Sequence, residues 1–121
     1  MANKLCYFEL LVSDVSKAKD FYTKVFDWKI KPSGMAGTHD YHDIDTGAEP
    51  SGGLMRKPDE APAHMLTTYI LVDSIDDTLK RVAEAGGQVG TPKREIPTMG
   101  WWALFLDPDE IPIMIYEPLR K

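Results

Sequence analysis

The chain has 121 residues, 43% of them hydrophobic, enough for one domain with its own core and too few for two of ordinary size. A net charge of −5, with the basic residues scattered, supplies no positive field for nucleic-acid phosphates or anionic lipid, so neither nucleic acid nor membrane is an expected partner. A single cysteine, Cys6, excludes an internal disulfide, and with no signal-like N-terminus and no apolar stretch of about 18 residues the expected location is the cytoplasm.

Leu5 to Val12 is a nearly continuous apolar run that reads as a buried strand, with Cys6 as an inert thiol inside it. It stops at Ser13-Asp14, where a side-chain oxygen can cap a helix. Val15, Ala18, Phe21, Tyr22, Val25 and Phe26 then recur with helical spacing, while Lys17, Lys19, Asp20, Thr23 and Lys24 fill the opposite face. Trp28 to Ile30 resumes a strand pattern until Pro32-Ser33-Gly34 breaks it, and Tyr41 to Asp45 and Gly53 to Met55 read as two further strands.

The stretch from Arg56 to Ala63 is rich in proline and charge and reads as a surface linker. Thr68 to Val72 follows as an apolar strand, Ser74 with Asp77 suggests a capping box, and Ile75, Leu79, Val82 and Ala85 form a helical stripe. Gly86-Gly87 closes that helix, because glycine accepts the left-handed conformation after a helix end. Gln88 to Gly90, Trp101 to Leu106 and Ile111 to Tyr116 read as strands, with Lys93-Arg94-Glu95 a solvated charged stretch and Asp107-Pro108-Asp109 a turn.

Placing Val12 on Val72 gives an offset of 72 − 12 = 60, and this offset also carries Leu11 to Leu71, Val15 to Ile75 and Tyr22 to Val82. Each half therefore reads strand, helix, then three strands. The expected fold is α+β: two tandem βαβββ modules, residues 1–56 and 64–121 joined by a linker at 57–63, within one domain. One such unit leaves a sheet face uncovered, so the two are expected to pair into a cupped mixed sheet with the helices outside.

Phe8-Glu9-Leu10-Leu11-Val12-Ser13-Asp14, then Phe21-Tyr22, Phe26-Asp27-Trp28, Ser51-Gly52-Gly53-Leu54-Met55, Tyr69 to Asp73, Ala85-Gly86-Gly87 and Asp107-Pro108-Asp109 run in one order along essentially the whole chain. That series resembles the vicinal oxygen chelate superfamily, which holds glyoxalases, bleomycin-resistance proteins and extradiol dioxygenases. The resemblance implies a cup that commonly binds a divalent metal through His, Gln or Glu, polarising vicinal substrate oxygens. Carried over residue by residue, its ligand positions fall on Tyr7, Thr67 and Met114, with the fourth close to Gly53. None is a usual ligand, so no cofactor is expected, and a divalent metal remains the alternative.

Glu9 is the most unusual residue, a carboxylate within an apolar strand on the face it shares with Tyr7 and Leu11. It reads either as a catalytic acid or base or a ligand shifted by one strand repeat, or as a structural carboxylate bonded to a neighbouring strand or a dimer partner. Tyr7, Glu9, Thr67, Tyr69, Trp102, Met114 and Tyr116 are the candidate substrate-binding residues, an aromatic wall with a few polar groups; the alternative is that these rings fill the cup. His39 and His42 with Asp40, Asp43 and Asp45 form the one local group of potential metal ligands, but strand alternation separates the two imidazoles, and a solvated loop accounts for the group. His64 reads as a surface residue, and Gly52-Gly53 as a tight strand entry.

Three functions compete. One is a protein that binds a small molecule in an aromatic-lined cup without metal, as a homodimer; another is a glyoxalase-like lyase or isomerase acting on a small oxygenated substrate, with Glu9 as general base, with or without metal; the third is a structural or interaction role in which a dimer fills its own cups. Residues suited to contact stand where the resemblance expects ligands, which favours binding.

Overall fold

The computed structural model describes residues 2–33, 40–59, 61 and 63–119. Among these lie eight strands and two helices, β1 (Leu5–Val12), α1 (Val15–Val25), β2 (Lys29–Pro32), β3 (Tyr41–Asp45), β4 (Gly52–Arg56), β5 (Met65–Leu71), α2 (Ile75–Glu84), β6 (Gln88–Ile96), β7 (Gly100–Leu106) and β8 (Pro112–Pro118). The βαβββ order thus occurs twice, as the internal repeat predicts. Packing divides the chain into one unit of Tyr7–Thr67 and another of Met1–Cys6 with Thr68–Lys121. The division falls inside β1 and inside β5.

In the unit of residues 7–67 the strands run in the order β2-β3-β4-β1, with β1 and β4 parallel and the other pairs antiparallel. Asp14 caps α1 by accepting from the Lys17 N–H at 3.1 Å. Leu10, Val15, Ile30, Ile44 and Leu54 form the core, flanked by Phe8, Val12, Ala18, Tyr22 and Trp28. Alternate residues of β1 and β3 therefore pack under α1, and those between them turn to the opposite face. Trp28 stacks on Tyr22 with centroids 5.6 Å apart and fixes the end of the helix. The helical stripe is narrower than its spacing suggests, since Phe21, Val25 and Phe26 stay exposed.

The other unit orders its strands β5-β8-β7-β6, with β5 and β8 parallel and the remaining pairs antiparallel. Val72, Ile75, Ala103 and Ile115 form its core with Ile70, Leu79, Trp101 and Phe105. Ser74 accepts from the Asp77 N–H, and Gly86 ends α2 at φ +98°. The N-terminal segment belongs here: the Asn3 side-chain amide donates to the Leu71 carbonyl, and the Leu71 N–H donates to the Lys4 carbonyl, both at 2.9 Å.

Two expectations need correction. β5 begins at Met65, three residues earlier than the apolar run implies, and so takes in Thr67. β6 continues past Gly90 to Ile96, with register shifts between Val89, Thr91 and Arg94 that absorb Gly90 and Pro92. Lys93 is consequently a strand residue rather than part of a solvated stretch. Its ammonium lies 4.9 Å above the Trp101 ring, 3.4 Å from Asp76 and 3.8 Å from Glu117.

Candidate functional site

Because Phe8, Leu10 and Val12 pack under α1, the same strand turns Tyr7, Glu9 and Leu11 to the other face. In β3, burial of Ile44 in the core likewise turns Tyr41 and Asp43 away from the helix. β4 lies between these two strands, and its Gly53 is paired with Glu9 on one side and with Asp43 on the other. Tyr41 crosses over Gly53 to reach β1. Its hydroxyl donates to Glu9 Oε2 at 2.8 Å and lies 2.7 Å from the Tyr7 hydroxyl.

With Glu9 ionised, the hydroxyl hydrogens set the proton order. Tyr41 has one hydroxyl hydrogen, and Glu9 receives it, so Tyr7 donates to the Tyr41 oxygen. The result is a directed chain from Tyr7 through Tyr41 to the Glu9 carboxylate. Burial pushes the Tyr7 phenol up to about 12, opposed by its bond to Tyr41 and reinforced by the negative charges of Glu9 and Asp43. The Tyr41 phenol is driven far above the ordinary tyrosine range, first by burial and then by Glu9.

Gly53 is required by this arrangement. A Cβ at position 53 would fall on the Tyr41 hydroxyl and the ring carbon that carries it, and a Cβ at Gly52 would fall on the Phe8 ring. The glycine pair is thus space for two aromatic rings inside β4, more than a tight strand entry.

These residues do not fit a divalent metal. Tyr7 and Tyr41 are phenols held protonated, the space at Gly53 is taken by Tyr41, and Thr67 and Met114 are poor donors for the metals of this fold. Among the described residues, no three His, Cys, Asp or Glu side chains converge.

Thr67 is buried, at 6% exposure, and its Oγ1 has no hydrogen-bond partner among the described residues. In the unit of residues 68–119, Tyr69 pairs with Met114, and Tyr116 pairs with Trp102, with Ile70, Ala103 and Ile115 packed under α2 on the opposite face. Tyr69, Trp102, Met114 and Tyr116 therefore share one face. The Tyr116 hydroxyl donates to the Met99 carbonyl at 2.8 Å.

His42 departs from the loop reading. It lies in β3 with a largely buried imidazole, its Nε2 is 2.7 Å from the Asp40 carboxylate, and its Nδ1 has no partner among the described residues. His39 lies outside the described residues. His64 is exposed, as expected. Tyr41 and Gly53 were not among the sequence-derived contact residues. The available signal was a glycine in a strand interior, which marks a close approach by another group.

The chain belongs to the Glyoxalase/Bleomycin resistance protein/Dioxygenase superfamily, whose pattern matches residues 4–115. It is 29% identical over 116 residues to the provisionally named glyoxylase CFP32 of Mycobacterium tuberculosis, covering 93% of this chain and 44% of that protein. It is 27% identical over 116 residues to the anthracycline biosynthesis protein DnrV of Streptomyces peucetius, covering 84% and 42% respectively. The chain thus spans less than half the length of either relative. A superfamily member from Vibrio splendidus 12B01 shares the fold, with a TM-score of 0.66 at 12% identity over 96% of this chain and 99% of that one. No helix among the described residues is long and apolar enough to cross a membrane.

Proposed function

We propose that this chain binds a small, oxygenated aromatic molecule on the face built by β1, β3 and β4, and that it does so without the metal common in its superfamily. The observation that carries this reading is the Tyr41 hydroxyl held between Tyr7 and Glu9 in space that Gly53 leaves open. Rings supply flat apolar area, and the hydroxyl chain supplies a placed polar group, the combination typical of small-molecule sites. Tyr69, Trp102, Met114 and Tyr116 form a second surface of the same kind in their own unit. The name of DnrV, a protein of anthracycline biosynthesis, supports a polycyclic aromatic as ligand. A homodimer in the cytoplasm completes the proposal.

The test is calorimetric titration with alizarin, a dihydroxyanthraquinone, alongside thermal unfolding with nickel, zinc, manganese and iron(II). Saturable alizarin binding that Tyr41→Phe weakens at least tenfold, with no stabilisation by metal, is the expected result. Stoichiometric metal with a clear rise in Tm would restore the metalloenzyme.

A second reading, a glyoxalase-like lyase or isomerase, draws on the same chain of groups, because a carboxylate linked to a phenol can accept a proton from a bound substrate. Turnover that Glu9→Gln abolishes while ligand affinity persists would establish it.

A further inference from the structure

Each unit sets a pair of parallel strands ahead of its helix, and the two units place opposite charges at the helix start. In the unit of residues 68–119, Leu71 of β5 pairs with Tyr116 of β8, so Glu117 stands one step further, beside Val72. Its carboxylate accepts from the N–H of Ile75, the first residue of α2, at 2.8 Å, with the Lys93 ammonium 3.8 Å away. In the unit of residues 7–67, Val12 of β1 pairs with Arg56 of β4, and α1 begins at Val15. The sequence offset that carries Val12 to Val72 also carries Val15 to Ile75. Arg56 therefore stands at the register position that Glu117 holds in the repeat.

Arg56 borders a cleft of about 150 Å³ at the carboxyl ends of β1 and β4, lined by Val12, Ser13, Arg56, Lys57, Asp59 and His64. Lys57 ties the chain beyond β4 to this place: its N–H donates to the Val12 carbonyl at 2.7 Å, and its ammonium donates to the Pro58 and Ala61 carbonyls, both at 3.2 Å. Among the described residues Arg56 makes no ion pair, and no side chain accepts from the Val15 N–H, because the Asp14 carboxylate turns to the Lys17 N–H instead. The lining thus sets two permanent positive charges and an imidazole against the Asp59 carboxylate, in a chain whose net charge is −5.

We infer that this cleft binds a small carboxylate from solution, which takes the place that the Glu117 side chain fills in the other unit. One carboxylate oxygen accepts from the helix-start N–H, where the helix dipole favours negative charge. The guanidinium of Arg56 donates to the same group through its paired N–H donors, which match carboxylate geometry. The cleft lies on the α1 side of the sheet, since Val12 packs with the core under α1, whereas Tyr7, Glu9 and Tyr41 occupy the opposite face. The inference is therefore independent of the proposed binding face.

The experiment titrates succinate, a small dicarboxylate, into the isotope-labelled full chain and follows the backbone amide signals by NMR, with sodium chloride of equal ionic strength as reference. Saturable displacement of the Val15 and Arg56 amide signals, absent with chloride, is the expected result. Arg56→Gln is expected to weaken the response about tenfold, the loss of one charge-assisted hydrogen-bonded pair. Because Arg56 is exposed, that variant should keep the spectrum of the folded chain elsewhere. Arg56→Glu sets a carboxylate where the repeat carries Glu117, so succinate should no longer bind. A response no larger than that to chloride, one that Arg56→Gln leaves intact, or succinate binding that survives in Arg56→Glu would overturn the inference.

Discussion

The Tyr41 hydroxyl lies where a Cβ on Gly53 would be, so the two residues are mutually exclusive with any side chain larger than hydrogen at position 53. Gly53→Ala must push the ring off Glu9 and Tyr7. Urea unfolding is expected to show a loss of about 1–3 kcal/mol, the usual cost of overpacking. Combined with Tyr41→Ala, which removes the ring, the double variant should lose clearly less than the sum of the two single losses. Simple additivity would mean that the two sites do not compete for space.

Tyr41 is the middle of the hydrogen-bond chain, and Tyr7 is an end of it. Tyr41→Phe removes the bonds to both Tyr7 and Glu9 and is expected to cost about 1–3 kcal/mol, whereas Tyr7→Phe removes the bond to Tyr41 and should cost less, about 0.5–1.5 kcal/mol. Equal losses, or the reverse order, would contradict the middle position assigned to Tyr41.

Alkaline pH gives an independent check. The folded state holds Tyr7 protonated to about 12 against an ordinary value of 10, so over that interval the folded state binds more protons than the unfolded one. Its contribution is complete below pH 10 and declines as pH rises through about 12. The Tm of wild type should therefore fall with pH across this window, and Tyr7→Phe should flatten the decline. An ultraviolet titration in which all five tyrosines ionise near their ordinary value would refute the buried assignment of Tyr7 and Tyr41.

Glu117 tests a structural carboxylate in the other unit. It is largely buried on β8 and accepts from the Ile75 N–H at the start of α2 at 2.8 Å, with Lys93 3.8 Å away. Glu117→Ala leaves that donor unmet and is expected to cost about 1–2 kcal/mol, in line with the loss of a helix cap. Glu117→Gln keeps an acceptor and should cost less. A Glu117→Ala chain as stable as wild type would show that solvent replaces the carboxylate.

Much of this was legible from residue order. The run from Leu5 to Val12, the caps at Asp14 and Ser74, and the glycine stop at Gly86 are local signals, and the structure follows them. The shared face of Tyr7 and Glu9 followed from alternation alone. Their partner did not, because Tyr41 sits in β3, two strands from β1 in the sheet order, and only the register through Gly53 brings it into reach. The length of β6 was hidden for a different reason: Gly90 and Pro92 are strand breakers whose effect is absorbed by shifts in register that no periodicity records. His42 was hidden among neighbouring aspartates that mimic a loop, although its own strand position buries it.

The repeat in the sequence and the division in space do not coincide. The repeat would cut the chain in the linker, yet Asn3 and Lys4 are bonded to Leu71, and Thr67 packs with the residues before it. Each half of the repeat now completes a unit with residues from the other: residues 2–6 belong with 68–119, and residues 64–67 belong with 7–56. A cut at the linker would therefore part the first residues of β5 from the unit of residues 7–67, and the breakpoints that follow the packing lie within β1 and β5.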